Sequence, residues 1–167
     1  MKTVHLISGL PCSGKTTYSQ TLAESSDAVH LCLDVWLITL YGRYSIDEIG
    51  HPEHVRRVLA CRELIWSMAG EFLKRDVDVV LDDGFFLREH RARLIAQSRA
   101  LGAHVKIHYL NPPVETLLAR LQARNARLPN YNFPITEGMF ASFVAMFEPP
   151  SPSEGAELVV GAGSPKA

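Results

Sequence analysis

Gly9-Leu10-Pro11-Cys12-Ser13-Gly14-Lys15-Thr16 is the stretch of this sequence that decides the fold. It has the pattern G-x-x-x-x-G-K-T, which is typical of a loop that cradles phosphate groups. The residues ahead of it, Thr3 to Ser8, are mostly apolar or β-branched and predict a buried strand. The residues behind it, Thr17 to Glu24, contain no Gly or Pro and predict a helix. Because strand, glycine loop and helix follow in this order, we expect a nucleoside triphosphate to bind here.

The residue types in this loop suit the binding of phosphate groups. Gly9 and Gly14 permit backbone angles that a Cβ would disfavour, so successive amides can turn towards an anion. The start of the following helix adds unpaired N–H donors and partial positive charge. We predict that Lys15 reaches the β- and γ-phosphates and that the Thr16 hydroxyl binds Mg²⁺. The predicted nucleotide-binding residues of the loop are Gly9, Pro11, Cys12, Ser13, Gly14, Lys15, Thr16 and Thr17.

The composition is that of an ordinary globular protein: 167 residues, of which 47% are hydrophobic and 21% are charged. A chain of this length fits one domain with a sizeable core. Its formal net charge is −1, whereas a large non-specific nucleic-acid surface normally shows as a strongly basic domain. The net charge therefore argues against a large nucleic-acid partner. A local basic groove is compatible with this net charge.

Cysteine usage and hydropathy indicate the compartment. Cys12, Cys32 and Cys61 are odd in number and contain no C-x-x-C pair, which indicates reduced thiols rather than disulfides or a zinc site. The seven histidines show no paired metal-binding spacing either. No uncharged run approaches the ~20 residues that a membrane-spanning helix needs, and no secretory signal is visible. We therefore expect a cytoplasmic protein without a membrane partner.

Segments that predict strands alternate with segments that predict helices along the whole chain. The predicted strands are Thr3–Ser8, Ala28–Leu33, Val77–Leu81, His104–Leu110 and Ala156–Val160. The predicted helices lie at 17–24, 53–75, 88–101, 114–127 and 136–147, with a helical or irregular segment at 35–41 and a loop at 42–52. This alternation predicts a parallel sheet that helices cover on both faces and that binds ligands at the carboxyl ends of its strands. We expect one domain over residues 1–160, a lid at about 120–136, and a disordered tail at 161–167.

Two aspartates follow the third predicted strand. A carboxylate at this place orients Mg²⁺ in a phosphate-loop protein, although an acidic turn after a strand is a common alternative. Adjacent side chains of extended backbone point apart, so we expect only one of the pair to face the phosphates. We favour Asp82, which directly continues the strand, with Asp83 close behind. The predicted metal ligands are Thr16, Asp82 and Asp83.

Asp34 follows the second predicted strand and is a candidate general base for an attacking hydroxyl. The alternative is that it caps the helical segment that begins at Val35. Aromatic residues flank the acidic strand ends and either wall an acceptor pocket or, more often for such residues, pack in the core. These aromatic residues are Trp36, Tyr41, Tyr44, Phe85 and Phe86.

Arg120, Arg124 and Arg127 follow one another at helical spacing and share one side of a predicted helix. Their helix leads into a polar segment that could close over a ligand, where guanidinium groups neutralise a transferring phosphoryl group. A solvated basic face is the alternative. We predict Arg124 and Arg127 as catalytic residues and Arg120 as a residue that stacks on the nucleotide base. Together with Lys15 and Asp34, these two arginines complete the predicted catalytic set.

Five blocks spread over nearly the whole chain resemble one family of enzymes. The blocks are GLPCSGKTT, LCLDVW, VDVVLDDGFF, YLNPPVETLLARLQARNARLP and MFEPPSPSEGAELV. They resemble the small stand-alone AAA-type P-loop kinases, which group with zeta toxins, chloramphenicol phosphotransferase, polynucleotide kinases and gluconate or shikimate kinases. The resemblance implies a three-layer P-loop NTPase fold, α/β and nucleoside-kinase-like, with a five-stranded parallel sheet in the order 2-3-1-4-5 and a helical lid. It also implies ATP and Mg²⁺ as cofactors.

The resemblance implies roles for particular residues as well. Asp34 corresponds to the family's base, Arg124 and Arg127 to its lid arginines, and Arg120 with the segment Pro149–Gly155 to its adenine site. The relatives that phosphorylate polynucleotides tend to carry D-x-x-R after the second strand, where this sequence has Leu37. That departure weakens a polynucleotide function. Cys12 replaces a usual loop glycine, which we expect to alter loop stiffness more than binding.

We therefore expect a kinase that moves the γ-phosphate of ATP to a hydroxyl of a small metabolite or antibiotic. One alternative keeps the fold but makes the acceptor a polynucleotide 5′-hydroxyl or a nucleotide sugar. Another alternative is a nucleotide-dependent regulatory binding module with weak ATPase activity. A GTPase is disfavoured because no guanine-specifying N-K-x-D pattern is recognisable.

Overall fold

The computed structural model describes residues 2–161, so the predicted tail lies outside the described residues except for Gly161. Within this range five strands form one parallel sheet in the order β2-β3-β1-β4-β5, which confirms the predicted order. The strands are β1 (Thr3–Ser8), β2 (Val29–Cys32), β3 (Val79–Gly84), β4 (His104–Tyr109) and β5 (Glu157–Val160).

Helices connect successive strands, as parallel pairing requires. They are α1 (Lys15–Ser26), α2 (Leu33–Tyr41), α3 (Ile46–Ile49), α4 (His51–Leu73), α5 (Arg88–Ala100), α6 (Val114–Ala126) and α7 (Glu137–Met146), followed by a 3-10 turn at Pro152–Glu154. The segment 42–52, expected as a loop, contains the short helix α3. Ser45 caps α3 by accepting a hydrogen bond from Asp47 N and forms a capping box with Glu48. No described helix is both long and apolar enough to cross a membrane.

The central strand β1 is buried along its whole length, and its two faces pack against different helices. Ile7 on one face packs with Val80 and with Ala23 of α1. The opposite face belongs to a larger core in which sheet residues pack with α4 and α5; this core includes Val4, Leu6, Leu81, Ile65 and Leu94. A strand buried on both faces reads as a continuous apolar run, which is why this element was predictable.

Strand β3 differs from the prediction in a way that matters for the site. The expected strand ended at Leu81, whereas the observed strand continues to Gly84 because Asp82 pairs with Ile7 of β1 and with Cys32 of β2. Asp82 and Asp83 are therefore strand residues whose side chains leave opposite faces of the sheet. The alternative of an acidic turn does not hold for Asp82, because pairing with strands on both sides outweighs the turn preference of aspartate.

Thr136 and Asp34 were both considered as N-terminal caps of helices, and the structure distinguishes them. Thr136 caps α7, since its hydroxyl accepts a hydrogen bond from Met139 N at 3.1 Å. Asp34 does not cap α2, because Cys32 occupies the cap position and Asp34 lies in the first turn. A carboxylate in the first turn interacts favourably with the helix dipole without being its cap.

Candidate active site

The glycine loop has the backbone conformation that its pattern requires. Gly9 has a φ of 156° and Gly14 a φ of 91°. A Cβ at Gly9 would lie 2.6 Å from the carbonyl oxygen of Leu110, so close packing as well as φ demands glycine there. A Cβ at Gly14 would meet no atom within 4 Å, because this residue faces open space at the start of α1. Cys12 adopts a φ of 65°, a conformation that glycine would take without strain.

Lys15 lies across this loop. Its ammonium group donates a hydrogen bond to the carbonyl oxygen of Leu10 at 2.8 Å. Burial lowers the pKa of Lys15, against the opposing effect of the carboxylates of Asp82 and Asp34. The hydrogen bond from Lys15 to Leu10 is one that a phosphate oxygen could replace, and the predicted role of Lys15 in binding phosphate stays a prediction.

Asp82 faces the loop from the end of β3. Burial alone would raise the pKa of Asp82, but the His30 ring, the Lys15 charge and the Thr16 hydroxyl together lower it. Its side chain is only 4% exposed, and its Oδ2 atom lacks a hydrogen-bond partner within residues 2–161. An ionised, under-coordinated carboxylate beside a threonine hydroxyl suits Mg²⁺, which prefers oxygen ligands. Thr16 and Asp82 would therefore hold the ion that the fold implies.

Asp83, predicted as a further metal ligand, is engaged elsewhere. Its two carboxylate oxygens accept hydrogen bonds from Nε and Nη2 of Arg62 at 2.6 and 2.7 Å. Arg62 belongs to α4, which covers the face of the sheet opposite α1. The metal-binding role predicted for Asp83 is therefore corrected to a structural one, because the pleat of β3 turns this side chain towards α4.

Asp34, the predicted base, lies in the first turn of α2. Partial burial in the cleft and the nearby carboxylate of Asp82 raise the pKa of Asp34 to about 6, against the charges of Lys15 and Arg124. The residue nevertheless keeps a solvent-exposed surface. A carboxylate with a raised pKa and open access is suited to accept a proton near neutral pH.

The three arginines of α6 have different surroundings. Arg120 donates a hydrogen bond to the carbonyl oxygen of Cys12 at 3.3 Å and thus contacts the glycine loop. Arg124 is held by the segment that follows its helix, with hydrogen bonds to Asn132 Oδ1 at 3.4 Å and Phe133 O at 3.2 Å. Its charge acts on both Lys15 and Asp34.

Arg127 is exposed just beyond the end of α6. It makes no side-chain hydrogen bond or ion pair with any residue between 2 and 161, and nothing in this arrangement brings it to the cleft. Its predicted catalytic role stays a prediction.

The predicted lid contacts the segment around α2 and α3. Arg43 donates a hydrogen bond to the carbonyl oxygen of Pro129 at 2.6 Å, and the rings of Tyr44 and Phe133 lie 5.0 Å apart. The guanidinium group of Arg57 lies over the Tyr44 ring at 4.7 Å, which adds a cation–π contact to this wall. These contacts close one side of the cleft that contains Asp34.

Two alternatives were expected for the aromatic residues that flank the acidic strand ends: core packing or a place in the wall of an acceptor pocket. The structure shows examples of both kinds of position. Phe85 is 1% exposed and belongs to the core. Phe86 packs edge-on against Phe143 and Phe147 of the α7 region. Tyr41 and Tyr44 both lie beneath Arg57, on the side of the cleft that the lid contacts.

A buried ion pair near the end of β3 was not predicted from the sequence. Arg91 of α5 donates to both carboxylate oxygens of Glu154 at 2.7 Å, and their side chains are 0% and 2% exposed. Arg91 also donates to the carbonyl oxygen of Phe85 at 2.8 Å. The pair joins the turn after β3 to the 3-10 turn before β5. Because 63 residues separate its members, no local pattern could have revealed it.

Comparisons with known proteins agree with this architecture. A sequence model described as AAA domain matches residues 4–150 of this chain. A comparison with curated proteins found no match. Among solved structures, the chain is similar to a candidate kinase from Chloroflexus aurantiacus J-10-fl, with 16% identity, a TM-score of 0.74, and coverage of 95% of this chain and 86% of that one.

Two further structures show the same likeness. Kti12 from Chaetomium thermophilum, solved in complex with ADP-AlF3, has 17% identity and a TM-score of 0.71, covering 94% of this chain and 87% of that one. A gluconokinase from Sinorhizobium meliloti 1021 has 16% identity and a TM-score of 0.62, covering 98% and 84%. Likenesses at these identities concern the fold alone. They confirm a P-loop kinase-like α/β fold.

Proposed function

The chain belongs to the AAA domain family, and we propose that it is an ATP-dependent phosphotransferase that acts on a hydroxyl of a small-molecule acceptor. The observation that carries this proposal is the meeting of four groups from four parts of the chain. Lys15 and Asp82 flank the glycine loop, and the charges of both act on Asp34, as does that of Arg124. A carboxylate with a raised pKa beside a phosphate-binding loop favours proton transfer in addition to nucleotide binding.

In this proposal each group has one task. Amides of the loop and the start of α1 bind the phosphates, and Lys15 exchanges its bond to Leu10 for a bond to them. Thr16 and Asp82 would hold Mg²⁺, which would neutralise part of the negative charge of the phosphates. Arg120 contacts the loop from α6 and contributes to binding the nucleotide.

Asp34 accepts the proton of the acceptor hydroxyl while that oxygen forms a bond to the γ-phosphorus. The bond from the γ-phosphorus to the bridging oxygen of ADP breaks at the same centre, so ADP leaves with the electron pair. Arg124 neutralises the negative charge that the transferred group carries, and the lid segment excludes water that would otherwise hydrolyse ATP.

Two observations favour a small acceptor over a polymer. The bond from Arg43 to Pro129 and the contact between Tyr44 and Phe133 narrow the cleft on the acceptor side. Leu37, which stands where polynucleotide kinases tend to carry arginine, is 3% exposed and packs in the core. A polymer-binding cationic group is therefore absent from that position.

The test is transfer of label from γ-labelled ATP to a panel of acceptors. The panel contains sugars, sugar acids, nucleosides, hydroxylated antibiotics, nucleotide sugars and oligonucleotides with a 5′-hydroxyl. We expect one small-molecule class to be labelled by the unaltered protein and not by Lys15→Met. A matched control is Lys106→Met, since Lys106 of β4 pairs with Glu157 of β5, away from the loop.

Two outcomes would contradict this function. Labelling of the oligonucleotide alone would move the acceptor class to polynucleotides. Slow release of phosphate that no acceptor changes, with nucleotide-dependent binding of a partner, would indicate the regulatory module instead.

A further inference from the structure

His30, Cys32 and Asp82 form a cluster of metal-ligating side chains beside the proposed nucleotide site. Their ligand atoms, one from each residue, all lie within 4.8 Å of one another. Cys32 and Asp82 are register partners in β2 and β3, and His30 lies two residues before Cys32 on the same face. Strand pairing thus assembles a cluster that spacing along the chain does not reveal.

Two atoms of this cluster lack hydrogen-bond partners. His30 Nε2 and Asp82 Oδ2 are both buried, and neither makes a hydrogen bond with any part of the chain from residue 2 to residue 161. They lie 3.7 Å apart, which is too far for a hydrogen bond. Buried polar atoms are nearly always partnered, so two that face each other without one indicate a place for a third group between them.

We propose that His30, Cys32 and Asp82 bind a divalent transition-metal ion of the zinc class. One nitrogen, one sulfur and one oxygen ligand suit Zn²⁺ or Co²⁺, whereas Mg²⁺ prefers oxygen alone. Ligands at zinc distances of about 2.0–2.3 Å lie about 3.3–3.8 Å apart in a tetrahedron, so the histidine and aspartate atoms already fit. Three protein ligands leave a fourth position for water.

A surface cavity reaches His30, one residue of this cluster. It has a volume of about 320 Å³, lies between α1 and β2, and is lined by Gln20, Ala23, Glu24, Asp27, Ala28 and His30. Its two acidic residues attract a cation, and the His30 side chain at its wall is 19% exposed. The cavity therefore opens the His30 side of the cluster to solvent and contains none of the residues of the glycine loop.

On binding, the metal ion replaces the thiol proton of Cys32. The ion forms bonds to neutral His30 Nε2, to the Asp82 carboxylate and to the Cys32 sulfur, and the thiol proton leaves to solvent. Because Asp82 belongs to both sites, a bound zinc-class ion would compete with Mg²⁺ and inhibit phosphate transfer. This inhibition rests on the proposed function, whereas binding of the ion does not.

The test uses the untagged full chain and cobalt as a spectroscopic probe. We expect added Co²⁺ to give the visible bands of a four-coordinate ion together with a thiolate-to-cobalt charge-transfer band, and Zn²⁺ to abolish both by displacement. Cys32→Ser should remove the charge-transfer band, and both Cys32→Ser and His30→Gln should weaken cobalt binding by about tenfold or more. Cys61→Ser, another buried free thiol, is the matched control and should bind as the unaltered protein does.

A second measurement needs no variant. Zn²⁺ should slow alkylation of Cys32 at least severalfold in the unaltered protein, as followed by mass spectrometry of the labelled peptides, while Cys12 and Cys61 react at unchanged rates. Cobalt binding without a thiolate band, equal affinity in Cys32→Ser, or unprotected Cys32 would each overturn the proposal. Cobalt binding in a protein that transfers no phosphate would sustain this site and overturn only the proposed function.

Discussion

Asp82 and Asp83 are consecutive residues of β3, yet their carboxylates lie on opposite faces of the sheet. Asp82 faces Lys15 and Thr16, and Asp83 is held by two hydrogen bonds from Arg62 of 2.6 and 2.7 Å. The same residue type thus has two environments one position apart, because successive side chains of a strand point in opposite directions.

This relationship predicts that asparagine at position 82 impairs phosphate transfer, whereas asparagine at position 83 lowers stability. Asp82→Asn should lower phosphate transfer by about 10²–10³-fold with little change in unfolding, since it removes a proposed ligand of the ion. Asp83→Asn should lower the free energy of unfolding by about 2 kcal/mol, since it weakens hydrogen bonds to a charged group. Transfer assays and urea denaturation of both variants measure this; equal loss of transfer in the two would contradict the assignment.

Lys15→Met should abolish measurable transfer, with a loss of about 10²–10³-fold or more, because the lysine supplies charge to the phosphates. Isothermal titration with ATP and Mg²⁺ should show weaker binding as well. The fold should persist, since the Lys15 side chain makes a single hydrogen bond, to Leu10, among residues 2–161. Binding and transfer as strong as in Lys106→Met would contradict the role of Lys15.

Asp34 should impose a pH dependence on transfer. Its pKa is raised to about 6, so the base is protonated and inactive below that pH and ionised above it. We expect kcat/KM to rise with pH through about 6 and then to level. Asp34→Asn should remove this rise with pH and should lower the rate of transfer by about 10²–10⁴-fold, while ATP still binds.

The matched control for Asp34 is Asp47→Asn, an exposed carboxylate in the first turn of the short helix α3. It should leave the pH profile unchanged. An acid limb that survives in Asp34→Asn would assign the titration to another group.

A transfer assay tests the catalytic roles predicted for Arg124 and Arg127. Arg124→Ala should lower kcat by about 10²–10³-fold, because its guanidinium acts on the groups around Asp34. If Arg127 also reaches the phosphates when the lid closes on ATP, Arg127→Ala should lower kcat comparably; a value near that of the unaltered protein would confine the role to Arg124. Substrate-saturated rates of both variants, with unfolding midpoints as a control, decide between these outcomes.

The buried pair of Arg91 and Glu154 should dominate the stability of the turns around the site. Arg91→Met leaves a buried carboxylate without its partner, which costs about 3–5 kcal/mol. Denaturant unfolding measures this, and Arg56→Met, which breaks an exposed pair with Glu53, should have a far smaller effect.

The same pair should make unfolding depend on pH. Burial would raise the pKa of Glu154, but the bonds from Arg91 hold it below its usual value. Its contribution is therefore full above the pKa of an unfolded glutamate and is lost as pH falls through the lower folded pKa. Unfolding measured across acidic pH should show this loss in the unaltered protein and a smaller slope in Arg91→Met.

The sequence by itself determined most of the strands and helices, the glycine loop and the place of the candidate base, whereas the order of the strands was implied by the family resemblance. These follow from short-range rules: apolar runs that a buried parallel strand needs, glycines at positions such as Gly9 where φ excludes most other residues, and the cap of α7 at Thr136. Each signal lies within a few residues of the element that it predicts. The same local rules placed Asp34 near the start of α2 but not in its first turn, because helix boundaries depend on packing.

Only the tertiary structure decided which neighbouring groups work together. It turned Asp83 to Arg62 and Asp82 to the loop, it joined Arg91 to Glu154, and it set His30 beside Asp82 across two strands. Side-chain direction depends on the register of strands that are distant along the chain, and burial gives these pairs their energy. Neither the strand register nor the burial of a side chain can be read from a pattern of residues along the chain. Such contacts therefore become visible only in the folded structure.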